Sequence, residues 1–519
     1  MFSATSTVDV QAPLTFEDAV PAELPVYRAG LDLRTRATGG GEVIDLVRRD
    51  ANALLDRLIE HHRNGTTDQA EQIMREPVDN YLDEDRWRRE IDAVHRRVPL
   101  PLALSCELSA PGSVKAINVA DVPVLITRDR AGALHAMINA CRHRGSPVMS
   151  PGTGRANRLT CPYHAWSYDL AGCLRGVYGE KTFGDLHREQ LSLLPLPAEE
   201  RAGIVFVSLT PGSDLDLDNW LGDLEPLLAG LGLAEMHHHS TRELPGTNYK
   251  VILDGYLETY HFASLHAATV ALTNISNMVA FDSWGPHQRN ASPLRAIAEE
   301  AAKPVAERDP ANAVAPNYWL FPGMAIAGGY RQVTAVSIVV PGRTPAESTT
   351  QQIIALRRPP VDDEERHAAD RMRDWFYDVV RDEDYAAQEA VADSLPALAG
   401  TDMLFGRNEP GVQHFHRTLN AGVDLQRNRN ARLSRFGGQI GGSGACRPLG
   451  GLDSAEIRLA GTAGPSGHLG QLDEPVPGFG GLAEFGSSAG QSGGGGGLLR
   501  RGGDGGAVMP EGQEGVQPR

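Results

Sequence analysis

Residues 141–166 read CRHRGSPVMSPGTGRANRLTCPYHAW and hold two Cys-His pairs, Cys141 with His143 and Cys161 with His164. Four metal-ligating side chains in two short loops need a compact scaffold that presents the loops side by side. Structural zinc sites usually pair one C-x2-C with a second, or with two spaced histidines. Here each loop supplies one Cys and one His. That order suits a two-iron cluster, with both thiolates on one iron and both imidazoles on the other. Such ligation raises the reduction potential to about −150 to +300 mV. Structural zinc is the competing reading. The other cysteines are Cys106, Cys173 and Cys446. They are too few and too unevenly spread for a disulfide framework, which points to a reducing cytoplasm. Cys106 and Cys173 read as ordinary thiols.

The flanking texture shows what that scaffold is made of. SVKAINVA, VPVLITRD, ALHAMIN and GIVFVSL are short β-rich runs between turns, so the pairs belong to a small antiparallel β domain, each just after a strand. GTGRAN, residues 152–157, lies between the pairs and reads as a turn. Upstream, EVIDLVRRDANALLDRLIEHHRNG repeats Val43, Val47, Leu54, Leu55, Leu58 and Ile59 at helical spacing, with Gly65 as the stop. YLDEDRWRREIDAVHRR is a second helical segment. Downstream, NYKVILDGYLETYHFASLH and the charged stretch 362–395 read as helices. NYWLFPGMAIAGG, RQVTAVSIVVPG and TTQQIIALRR read as strands of one antiparallel sheet. The fold class is therefore α+β, with helices set apart from the sheet.

In NYKVILDGYLETYHFASLH, Asp254, Glu258 and His261 stand at i, i+4 and i+7, one stripe of a helix. His266 lies five residues beyond His261, about 140° round a regular helix, so the helix must end or deform between them. Two His and one carboxylate make the facial triad of non-haem iron oxygenases, which leaves positions open for O2. RDEDYAAQE offers Asp382, Glu383 and Asp384 as the carboxylate, and composition does not choose among them. The HHH run at 237–239 reads as the start of a strand. His414 and His416 read as packing or hydrogen-bonding residues. AFDSWGPHQRNASPL, residues 280–294, is a candidate pocket loop.

CRHRG and CPYHAWSYDLAG resemble the paired loops of a Rieske [2Fe-2S] domain, with Gly145 and Pro162 at tight turns and Trp166 packed beneath the cluster. With His261 and His266 about 100 residues later, residues 80–420 resemble the large (alpha) subunit of Rieske non-haem iron oxygenases, the ring-hydroxylating oxygenase family. The resemblance implies a Rieske [2Fe-2S] cluster on Cys141, His143, Cys161 and His164. It implies a mononuclear Fe(II) on His261, His266 and Asp384, because the family's third ligand is a carboxylate with a Glu five residues later, here Glu389. A family carboxylate three residues before the first iron-ligating His bridges to a Rieske His of a neighbouring subunit. Glu258 matches that position, so it is expected to bond His261 and His164 of another chain. Glu258 and Asp254 are the expected catalytic helpers. Many members have Asp and Asn at these two places; the Glu is similar to members that oxidise quaternary ammonium compounds.

Four segments are expected: a helical segment at 1–90, a Rieske domain at 91–212, a catalytic domain at 213–425 and a Gly-rich disordered tail at 426–519. The tail's composition points to a shifted reading frame in a GC-rich gene, which resequencing tests. The implied function is a terminal oxygenase that hydroxylates an organic substrate, foremost an aromatic ring compound. The alternatives are monooxygenation or N-demethylation of a quaternary ammonium or other small substrate and, from another class, a non-catalytic Rieske electron carrier. Partners implied are a ferredoxin or flavin reductase drawing on NAD(P)H, O2, and further copies in a homotrimer, with room for a small beta subunit. No G-x-G-x-x-G follows a strand to bind the nucleotide. A net charge of −17 argues against nucleic acid and anionic membrane. No apolar run spans a bilayer and no leader pattern opens the chain; the expected location is the cytoplasm.

Overall fold

The computed structural model describes residues 41–436 apart from 329 and 331, with side chains from Leu46 to Leu425. The expected disorder of the tail, Cys446 included, lies outside the described residues from 437 onward. The helix Pro410–Phe436 runs past 426, into the segment expected to be unstructured. The helix Gly41–Asn64 buries Val47, Leu54, Leu55, Leu58 and Ile59 and stops at Gly65, whose φ of +62° favours glycine. The side chain of Val43 lies outside the described residues.

The Cys-His region is built from short antiparallel strands. Five of them order as Pro195–Leu196, Leu134–Ile138, Val122–Arg128, Ser113–Val119 and Gly152–Arg155. Ile204–Val207 sits between Ala198–Arg201 and Leu100–Leu104 in a second sheet. Leu159–Thr160, Ser167–Tyr168 and Leu174–Gly176 form a third. Cys141 follows the strand Leu134–Ile138 and Cys161 the strand Leu159–Thr160, as expected. GTGRAN is corrected from a turn to an edge strand: Gly152–Arg155 pairs with Ser113–Ala116. Glycine-rich edges carry no hydrophobic alternation, so sequence pattern misses them.

One seven-stranded antiparallel sheet dominates the second half. Its order is His237–Gly246, Ser348–Leu356, Val333–Pro341, Met324–Ala327, Val314–Leu320, His287–Pro293 and Ala280–Trp284. The HHH run does open a strand. Residues 280–294 are corrected from a loop to a hairpin, whose strand His287–Pro293 is buried throughout. Polar Gln288, Asn290 and Ser292 on that strand hid it from a hydrophobic reading.

The helix Tyr249–Tyr256 packs on this sheet, capped by Asn248, whose side chain accepts the Lys250 N–H at 2.9 Å. Its position is fixed by a buried ion cluster. Lys250 Nζ donates to both carboxylate oxygens of Glu90 at 2.8 Å, Arg86 Nε donates to the same group at 2.7 Å and the Tyr249 hydroxyl at 2.6 Å. Burial opposes the charge on Glu90, yet Lys250 and Arg86 outweigh it and hold the carboxyl below its ordinary range. Lys250→Met leaves that carboxylate short of one cation. The expected cost is about 3–5 kcal/mol of unfolding free energy, measured by denaturant titration; an unchanged midpoint contradicts it.

Candidate metal centres and active site

The helix carrying Asp254 ends sooner than its sequence suggests. It stops at Tyr256, and His261 falls in a separate turn, Tyr260–Ala263. The single helical stripe through Asp254, Glu258 and His261 is thus corrected. The reason is a set of polar groups that take the backbone carbonyls one by one. Asn317 Nδ2 donates to Tyr256 O at 3.1 Å and Asn290 Nδ2 to Leu257 O at 3.2 Å, from directly paired positions on adjacent strands. The Ser276 hydroxyl donates to Thr259 O at 3.0 Å and Tyr260 O at 3.1 Å. These bonds satisfy carbonyls that a helix end leaves open. They also fix the segment that presents Glu258 and His261.

His261, His266 and Asp384 converge. One ligand atom from each lies within 4.8 Å of the others. Asp384 Oδ1 is 3.1 Å from His266 Nε2 and 3.5 Å from His261 Nε2. The far ring nitrogens are also held by carboxylates: His261 Nδ1 by Glu258, and His266 Nδ1 by Glu383 Oε2 at 2.6 Å. Burial pushes the His261 imidazole down, but hydrogen bonds to Asp384 and Glu258 outweigh it and raise it to about 9. The same balance raises His266 and lowers Asp384. Three carboxylates crowd two imidazoles, and both Nε2 atoms face Asp384 Oδ1, so the donor set suits a cation. His261, His266 and Asp384 would hold an iron and leave it open to further ligands such as O2.

Asp384 lies in a π-helical turn, Val380–Tyr385, within the charged helical stretch. π-Turns recur at functional sites. Asp382 points away and pairs with Arg381 at 2.6 Å, and Glu389 is exposed. Asp254 does not join the three. Its carboxylate accepts from the Tyr81 hydroxyl at 2.7 Å and lies 2.7 Å from His416 Nε2, in a buried polar cluster. Glu383, a rival to Asp384 for the third ligand in the sequence, is instead the carboxylate on His266 Nδ1. His238 meets Thr241 at 2.8 Å and His239 meets Asp370 at 3.0 Å, both away from the three.

The four Cys-His residues also come together. Nδ1 of His143 and Nδ1 of His164 are 3.1 Å apart on half-buried rings, while Cys141 and Cys161 are buried. Burial raises the Cys161 thiol, but the backbone N–H groups of Tyr163 and His164, with Cys141 and Ser146, outweigh it and lower it toward the thiolate. The Tyr168 hydroxyl lies 3.2 Å from Cys141 Sγ. Trp166 stacks on His143 at 5.0 Å and 8°. Gly145, at φ +77°, makes the first loop's tight turn. A tetrahedral zinc with bonds of about 2.0–2.3 Å needs ligand atoms roughly 3.3–3.8 Å apart. Among the described residues, His261, His266 and Asp384 are the one group of three or more converging within 4.8 Å. Paired imidazoles and paired thiols without a common centre fit the two ends of a [2Fe-2S] cluster. Cys106 is buried, its thiol pushed up to about 12 by burial.

Comparison with known families follows this division. Residues 98–184 match the Rieske [2Fe-2S] domain, and residues 233–424 match the ring hydroxylating alpha subunit (catalytic domain). The chain belongs to the Rieske oxygenase alpha-subunit family. It is an oxidoreductase, a Rieske non-haem iron oxygenase, with a Rieske cluster and a mononuclear iron as cofactors. The catalytic-domain match sets aside the electron-carrier alternative. The carnitine monooxygenase oxygenase subunit of Escherichia coli (strain K12) is 26% identical, over 66% of this chain and 92% of its own length. The benzene 1,2-dioxygenase subunit alpha of Pseudomonas putida is 32% identical, over 28% of this chain and 32% of its own. A solved quaternary ammonium Rieske monooxygenase in complex with L-carnitine shares the fold, with a TM-score of 0.57, 20% identity, and coverage of 69% of this chain and 96% of that one. This Rieske oxygenase has no helix, among the described residues, long and apolar enough to cross a membrane.

Proposed function

We propose that this oxygenase acts on a quaternary ammonium compound, by monooxygenation or N-demethylation. The observation that carries the reading is the alignment with a carnitine monooxygenase subunit along 92% of that protein. The aromatic dioxygenase aligns along only 32% of its length, so the aromatic-ring expectation has weaker support. Glu258, rather than Asp, agrees with the first reading.

In the same proposal, Cys141 and Cys161 hold one iron of the cluster and His143 and His164 the other. His261, His266 and Asp384 hold the mononuclear iron. When bound, the cluster carries single electrons and the mononuclear iron activates O2. The chain's own groups do the positioning. Glu258 and Glu383 turn each Nε2 inward, and Asp384 supplies the balancing charge. Glu258 then meets His164 of a neighbouring copy in a closed head-to-tail ring, a trimer. A reductase, alone or with a ferredoxin, delivers electrons from NAD(P)H. We place the domains at 91–212 and 213–425, around the two family matches, and the protein in the cytoplasm; of the segment expected to be helical at 1–90, residues 1–40 lie outside the described residues, and Met74–Pro77 is a strand paired with Asp402–Phe405.

The test supplies the purified chain with a ferredoxin, a flavin reductase, NADH and O2. One O2, two electrons and two protons give one hydroxylated carbon and one water. Hydroxylation of an N-methyl carbon releases formaldehyde. Carnitine and glycine betaine, each against naphthalene, are followed by mass spectrometry and oxygen uptake. The expected result is coupled turnover of an ammonium substrate. A cis-diol from naphthalene with no ammonium product contradicts the reading.

A further inference from the structure

We infer that Glu383 is a positioning residue for the mononuclear iron, acting through His266. The inference rests on the assignment of His261, His266 and Asp384 as iron ligands. Three observations carry it. First, Glu383 and Asp384 are consecutive, yet they grip opposite nitrogens of one imidazole. Glu383 Oε2 lies 2.6 Å from Nδ1, and Asp384 Oδ1 lies 3.1 Å from Nε2. On a regular helix neighbouring side chains diverge by about 100°. The wider turn Val380–Tyr385 narrows that angle and lets both reach the ring.

Second, Glu383 is itself held. The Thr269 hydroxyl donates to Glu383 Oε2 at 2.8 Å, the same oxygen that faces His266. Thr269 follows His266 closely, and its backbone N–H donates to His266 O at 3.0 Å. The imidazole, the threonine and the carboxylate thus form a closed triangle. Third, His266 is buried, while the side chain of Glu383 keeps 25% of its exposure.

The consequence is a division of labour between adjacent carboxylates. Asp384 serves the metal, and Glu383 fixes the ring so that Nε2, not Nδ1, carries the lone pair toward it. Partners of this kind on a ligating histidine set metal affinity by about 10–100-fold. Glu258 holds the same relation to His261, so each imidazole has its own carboxylate.

The test measures Co(II) affinity of protein stripped of its mononuclear iron, with the cluster retained, by equilibrium dialysis. Wild type, Glu383→Leu, Glu383→Gln and Asp384→Ala are compared. Glu383→Leu is expected to bind Co(II) about 10–100-fold more weakly, with two cluster irons and an unchanged visible spectrum. Glu383→Gln keeps an acceptor oxygen for Nδ1–H and is expected to recover most of that loss. Binding by Glu383→Leu within about threefold of wild type overturns the inference, as does a Glu383→Gln variant as weak as Glu383→Leu. If Asp384→Ala binds as tightly as wild type, the ligand assignment fails, and the inference falls with it.

Discussion

Asp384→Ala is expected to lose the mononuclear iron and keep the cluster. Wild type should carry three irons per chain, two in the cluster and one beyond it; the variant should carry two, with the visible cluster spectrum unchanged. Oxygenation should fall to background, because His261 and His266 alone leave the cation without its balancing carboxylate. The geometry makes the effect specific. Asp384 Oδ1 is the atom that both Nε2 groups face, at 3.1 and 3.5 Å. Asp382→Ala serves as the control, since Asp382 pairs with Arg381 and turns away. Iron analysis after anaerobic Fe(II) loading decides the matter: a variant that still holds three irons shows that the ligand lies elsewhere.

Glu258→Gln is expected to keep both metals and slow electron transfer between them. The glutamine oxygen can still accept the His261 Nδ1–H, so the proposed iron ligand stays oriented. The carboxylate charge and its second acceptor are lost, and with them the proposed link to His164 of a neighbouring copy. In a single turnover of pre-reduced protein, cluster oxidation should slow by about 100-fold, the upper end of the effect such partners have on activity. Iron content and cluster spectrum should match wild type. Normal cluster oxidation in this variant removes Glu258 from the electron path.

The proposed ligands stand out in the sequence because metal chemistry restricts residue types at short spacing. Cys141, His143, Cys161 and His164 sit in two loops, and His261 and His266 five residues apart. The residues that hold the ligands were harder to read. Nothing local marks Asn290 and Asn317 as the groups that end the helix at Tyr256; they reach it from strands that pair far along the chain. Asp254 fitted a helical stripe with Glu258, but Tyr81 and His416, 173 and 162 residues away, draw its carboxylate elsewhere. Glu383 and Asp384 differ by one position in an acidic run, and the π-turn carries them to opposite nitrogens of His266. The hairpin Ala280–Trp284 with His287–Pro293 escaped because its buried strand is polar, and the edge strand Gly152–Arg155 because it is half glycine.

In the proposed ring, one chain's cluster serves the neighbouring chain's iron. This transfer is tested by co-expressing Cys161→Ala and Asp384→Ala chains with different tags and purifying through both. Each parent alone lacks one metal centre and should be inactive. In a head-to-tail trimer, every mixed ring holds one intact iron site facing one intact cluster, so the mixture should reach about one third of wild-type activity per chain. Mixed assemblies no more active than the parents would contradict transfer between chains.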